Sequence, residues 1–217
     1  MNYTIAMIFS FSIAIAAITG WVRFKEMDPA FLPFLLLVTL ATCNELISAL
    51  VINVFHRSNA VNANIYSLIE ALMIAWQFKR WKLFDRAYEF SIIFLLFIIV
   101  WTIENVFIFS IRHFSSYFNI LYGFATVMMS INMVNRLLLY IHPQQFTRSI
   151  LLICFAFILF YTYTAFIEIF WIWGVQASKV FRRDVYRILC YINLLTNLAY
   201  ALAILWVPRK RKFMQLC

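Results

Sequence analysis

Glycine and proline are scarce in this chain, three and four among 217 residues. A glycine-rich phosphate loop is thereby excluded, and helix interiors run almost uninterrupted. Charge is scarce as well. Asp, Glu, Lys and Arg make up 12% of the residues, about half their usual share in soluble domains, while 65% are hydrophobic. A water-soluble fold of this length cannot hide so much apolar surface in one core. Lipid is therefore the solvent for most of the chain, which excludes a soluble enzyme, a disordered regulator and a DNA-reading domain. Neither an HExxH zinc motif nor a GxSxG nucleophile elbow occurs. Of the four cysteines, Cys43, Cys154 and Cys190 fall within apolar stretches and Cys217 lies in the tail, so no disulfide framework is expected.

What the chain does have is seven apolar stretches of membrane-spanning length: 3–22, 30–55, 61–78, 90–111, 117–141, 149–175 and 186–207. Short polar connections leave no room for a soluble domain. The expected fold is all-α, a polytopic membrane protein, with residues 1–217 forming a single seven-transmembrane-helix bundle. The first stretch lacks a basic segment before its apolar run and reads as a retained helix rather than a cleaved signal. Aromatic residues, 19% of the chain, suit lipid-facing surfaces and interface belts. The net charge of +9 sits in the connections and the tail, where anionic headgroups account for it. No connection is long enough to build a nucleic-acid reader.

Basic residues also set orientation. The side that holds the N-terminus carries Arg57, Arg112, Lys179, Arg182, Arg183 and Arg187. The opposite side carries the larger remainder of the 18 Lys and Arg, including the RKRK run at 209–212. The expected placement is the cell membrane, with the N-terminus outside and the C-terminus cytoplasmic.

Charge within a span costs roughly 2.5–3.5 kcal/mol on insertion scales, so each intramembrane carboxylate calls for a reason. Glu45, Glu70, Glu104 and Glu168 sit inside spans two, three, four and six. At 1.5 Å per residue all four lie roughly 10–15 Å below the N-terminal side. Asn193 and Asn197 on span seven reach the same layer. Neighbours at helical spacing extend it: Thr42 and Ser48 beside Glu45, Tyr66 and Ser67 beside Glu70, Tyr161, Thr164 and Trp171 around Glu168, Tyr200 beyond Asn197. Span five adds Asn119, Tyr122 and Thr126. Lipid cannot satisfy these groups, so they are expected to face inward and form a polar, aromatic-walled cavity open toward the N-terminal side. The candidate ligand-binding residues are Glu45, Glu70, Glu104, Glu168, Asn193, Asn197, Tyr66, Tyr161 and Tyr200. No Lys or Arg shares their depth, so the carboxyls are protonated, hydrated or bound to a cation. The alternative is interhelical glue, for which Ser, Thr and Asn commonly serve. A second patch, Asn132, Asn135 and Arg136 on span five, lies near the opposite surface. It reads as a snorkelling arginine or an inner anion contact.

No lysine falls within a span, so a retinal Schiff base is excluded despite seven helices. His142 lies on the side opposite His56 and His113, which excludes a three-histidine hydrolase site. The ExxH spacing of di-iron carboxylate bundles is absent. No cofactor is expected beyond a bound cation.

The segment from Leu37 through Asp85, with NELI followed by NANIYSLIEAL, resembles a group of small bacterial seven-span membrane proteins of unassigned role. The resemblance implies an inner-membrane protein in which Glu45 and Glu70 are characteristic, and it implies no activity. Three readings remain. The first is a small transporter or sensor that binds a cation, a proton or an amine-bearing molecule. The second is an accessory subunit held to a membrane protein partner. The third is a membrane-embedded enzyme using paired glutamates on a lipid substrate.

Overall fold

The computed structural model describes residues 3–140, 145–173 and 179–207. His142, the RKRK run and Cys217 lie outside the described residues. Within them the protein is all-α, with no strand. The helices are α1 (Tyr3–Phe11), α2 (Ile13–Val22), α3 (Leu32–Asn53), α4 (Ala60–Arg80), α5 (Ala87–Thr102), α6 (Ser116–Tyr140), α7 (Gln145–Ile172) and α8 (Lys179–Trp206).

The first expected span is thus two helices meeting at Ser12. Its hydroxyl bonds back to the Phe9 carbonyl at 2.6 Å, the kind of local bond that interrupts a helix ladder. A tight 3-10 turn, Pro29–Phe31, precedes α3, and Asp28 caps it by accepting from the Ala30 N–H at 2.7 Å. The fourth span ends in a π-helical segment, Ile103–Ile108. The seventh helix starts at Lys179, seven residues earlier than hydropathy placed it, so the basic stretch with Arg182, Arg183 and Arg187 is its first turns rather than a loop.

Among the described residues, six stretches are long and apolar enough to cross a membrane: Ile5–Val22, Pro29–Asn53, Ala87–Ile108, Ser116–Leu139, Arg148–Ile172 and Phe181–Trp206. The expected third span, α4, is not among them. Its 21 residues would reach about 31 Å, so length is not the obstacle. Polarity is, and the structure gives the reason. Asn64, Ser67, Glu70 and Gln77 all lie on its buried face, against neighbouring helices rather than lipid.

The helices close into a ring. The α1–α2 rod packs on α3, α3 on α4, α4 on α6, α6 on α7, α7 on α8, and α8 returns to α1 and α2. Left outside the ring is α5, which lies against α4 and α6 and buries only Phe97 along its α-helical length. One half of the interior is filled by aromatics. Phe157 on α7 meets Phe34, Phe78 and Tyr200 edge-on or tilted at centroid distances of 6.3, 6.2 and 5.7 Å, and Trp81 continues the cluster beyond Phe78. Polar ties lock the ends. Gln77, fully buried, accepts from the Phe34 N–H at 2.7 Å and donates to the Ala30 carbonyl at 2.8 Å, which satisfies an orphan donor of α3.

Candidate functional site

Inside the ring lies a cavity of about 280 Å³. Each helix offers it one face at helical spacing. From α4 come Ala63, Tyr66, Ser67 and Glu70; from α8, Asn193, Thr196, Asn197 and Tyr200. Phe157, Tyr161, Thr164 and Glu168 line it from α7, Val38, Ala41 and Glu45 from α3, and Asn119 and Tyr122 from α6. Exposure of the wall follows a gradient. Glu45, Asn119, Glu168 and Asn193 are half-buried, whereas Tyr122, Phe157, Tyr161 and Tyr200 are buried. The half-buried group sits toward the end that carries the α3–α4 and α5–α6 connections. The buried group rests on the aromatic cluster.

Eight of the nine residues expected at the site line this cavity: Glu45, Glu70, Glu168, Asn193, Asn197, Tyr66, Tyr161 and Tyr200. Glu104 does not, and its placement is a correction. Depth counting treated 90–111 as a regular helix of the ring. Instead α5 packs outside the ring, and Glu104 falls in the π-helical segment, where its carbonyl accepts from the Phe109 N–H five residues on. Its carboxylate accepts from the backbone N–H groups of Tyr117 and Phe118 at 3.1 and 2.6 Å. Glu104 therefore caps the N-terminus of α6, where a negative charge meets unpaired donors and the positive end of the helix dipole. Thr126, Trp171 and Ser48 also miss the cavity. Trp171 donates instead to the Tyr186 hydroxyl, and Ser48 accepts from Asn59 and Asn62 across the α3–α4 hairpin.

The three carboxylates of the cavity differ in their partners. Glu70 receives the Tyr66 hydroxyl on one oxygen at 2.9 Å and the Tyr122 hydroxyl on the other at 2.8 Å, and Tyr161 shares the same cavity wall. Phenols donate and accept, so this cluster can hold the carboxyl in either protonation state. Glu168 receives Asn119 Nδ2 at 3.1 Å and Ser116 Oγ at 2.6 Å, both from the first turn of α6. Glu45 makes no hydrogen bond or ion pair among the described residues. No Lys, Arg or His lines the cavity. Two further polar atoms on its wall are buried and unpartnered, Thr196 Oγ1 and Asn119 Oδ1.

Several determinants escaped sequence reasoning. Thr196 and Phe157 complete stripes whose other members were marked, but as single apolar or weakly polar residues they carry no signal alone. Asn64 carries no signal of its own in the sequence either. It donates to Asn105 at 3.1 Å and to the Ile111 carbonyl at 2.9 Å and accepts from the Ser115 N–H at 3.1 Å, which fastens the α5–α6 connection to α4.

At the opposite end Arg136 pairs with Asp85 through two bonds, at 3.0 and 2.7 Å, and also reaches the Lys82 carbonyl. The guanidinium holds the exposed Asp85 carboxyl below the usual carboxylate range. The sequence offered Arg136 as a snorkelling group or an anion contact; the structure ties it to the α4–α5 connection. Cys43, Cys154 and Cys190 are free thiols. No protein family, curated protein or solved structure matches this chain.

Proposed function

We propose that the chain is a seven-span membrane protein, with α4 as the seventh crossing, that binds a small cation or amine-bearing molecule in this cavity as a small transporter or sensor. One observation carries the reading: three carboxylates converge on a cavity whose wall holds no basic side chain. Structural carboxyls in a bundle pair with cations or caps, as Glu104 does. Those of the cavity face an interior where only solvent or a ligand can supply positive charge. Four tyrosines add aromatic faces that attract a cation further. Entry is from the N-terminal side, where the wall is most exposed, and the aromatic cluster around Phe157 closes the other half. A pocket sealed on one side is what a sensor needs and what a carrier adopts in one of its end states.

Thermal unfolding of the purified protein in detergent tests this. A panel of inorganic cations and organic amines is titrated, with chloride as the common counterion. At least one cation is expected to raise Tm in a saturable way, with the rise lost in the combined Glu45→Gln, Glu70→Gln, Glu168→Gln variant. A flat response to every cation in the panel would remove the cation-binding reading.

A further inference from the structure

We infer that the cavity takes an organic monocation, with its ammonium group paired to Glu45 and its apolar body held against the tyrosine and phenylalanine faces below. This rests on the cation-binding reading above and narrows it to a ligand class.

The place of the ammonium follows from the partners of the carboxylates. Both oxygens of Glu70 are taken by Tyr66 and Tyr122, and both oxygens of Glu168 by Asn119 and Ser116. Among the described residues, Glu45 is the cavity carboxylate without a hydrogen-bond partner. An ammonium at Glu45 finds every lone pair of the carboxylate open, whereas a second ammonium at Glu70 or Glu168 would share oxygens with donors the protein already supplies. A bare metal ion fits less well. Among the described residues, no three His, Cys, Asp or Glu side chains come close enough together to hold one, and hard cations take six or more oxygen ligands.

Size and lining set the rest of the ligand. An engineered apolar cavity of about 150 Å³ holds benzene; this one, at about 280 Å³, has room for a body of roughly ten heavy atoms beside its ammonium. Phe157, Tyr161 and Tyr200 form the floor, so the body that rests there is apolar or aromatic. Two neutral polar groups remain unmatched. Thr196, 1% exposed, has no partner for its hydroxyl. Asn119 commits its Nδ2 to Glu168, which leaves its Oδ1 as an acceptor without a donor. Both atoms are closed off from the cavity by their neighbours, so the ligand's contacts are the Glu45 carboxylate and the aromatic floor.

Isothermal titration and thermal unfolding of the full chain in detergent test the inference with four probes: 2-phenylethylammonium chloride, putrescine dihydrochloride, magnesium chloride and the neutral 2-phenylethanol. Phenylethylammonium is expected to bind and to raise Tm, at least tenfold more tightly than the other three. Glu45→Gln is expected to weaken it at least tenfold, Glu45→Asp to restore part of the loss, and Asn132→Ala, exposed on the opposite half, to change nothing. Tighter binding of putrescine or magnesium, or unchanged affinity in Glu45→Gln, would overturn the monocation and leave the broader cation reading standing. Equal binding of 2-phenylethanol, or no binding by any charged probe, would overturn both. Should Glu45→Gln fail to fold, the probe ranking on the unaltered protein and Glu45→Asp decide the matter.

Discussion

Glu45, Glu70, Glu104 and Glu168 share one side chain and have four different surroundings, and the energetics of replacing each differ accordingly. Glu104 accepts from two backbone N–H groups at the head of α6. Glutamine there keeps one acceptor oxygen but turns an NH2 group toward the second donor. Glu104→Gln is therefore expected to destabilise the protein by about 1–3 kcal/mol, the scale of a lost charge-assisted bond with a donor left unmet. Glu45 has no such bond to lose. Glu45→Gln removes an uncompensated charge and is expected to hold or raise the Tm of the ligand-free protein. Side-by-side unfolding curves check the contrast, and equal losses at both positions would contradict the capping role given to Glu104.

At the level of elements, the helix with the weakest membrane signature turns its polar residues into the bundle. Polar residues on α4 lower its hydropathy because they are directed at other elements: Gln77 at the start of α3, Asn64 at the α5–α6 connection, Glu70 at α6. A comparable tie joins the first connection to the last helix. Arg23 donates to the carbonyls of Ile204 and Val207 at 2.7 and 3.2 Å, and to that of Leu205. These carbonyls lie at and just past the C-terminus of α8, beyond its regular bonding ladder and at the negative end of its dipole, and that of Ile204 also accepts from the Val207 N–H at 3.2 Å. Arg23→Ala is expected to cost about 1–3 kcal/mol in thermal or denaturant unfolding, with Arg23→Lys recovering part of it. No change in Arg23→Ala would show that water satisfies those carbonyls equally well.

For the whole molecule, the ring places the cavity mouth and the aromatic seal on opposite sides, so orientation decides which compartment the pocket samples. The excess of Lys and Arg on the side opposite the N-terminus leads to the expectation that this side is cytoplasmic and the mouth outside. A reporter fused after Cys217 is expected to be active only if it folds in the cytoplasm. A reporter exported instead would reverse the mouth while leaving the cavity chemistry as it is.

Lipid as solvent, helices as the sole element and inward-facing polar stripes were legible in the residues themselves. A span must satisfy its own backbone bonds, and a polar side chain at that depth has nowhere to go but inward. Glu45, Glu70 and Glu168 could thus be placed in one layer by counting residues along straight helices. Counting failed for Glu104, because depth along a helix says nothing about which helices form the ring. Only packing set α5 outside it, and only the π-helical segment brought that carboxylate to the head of α6. The same holds for the difference between Glu45 and Glu70. Each is a glutamate amid apolar residues in the sequence, and among the described residues one has no hydrogen-bond partner while the other is held by tyrosines from α4 and α6. Hydrogen bonds between helices depend on side chains far apart in the chain, so the chemistry available at each carboxylate was decided by the tertiary structure alone.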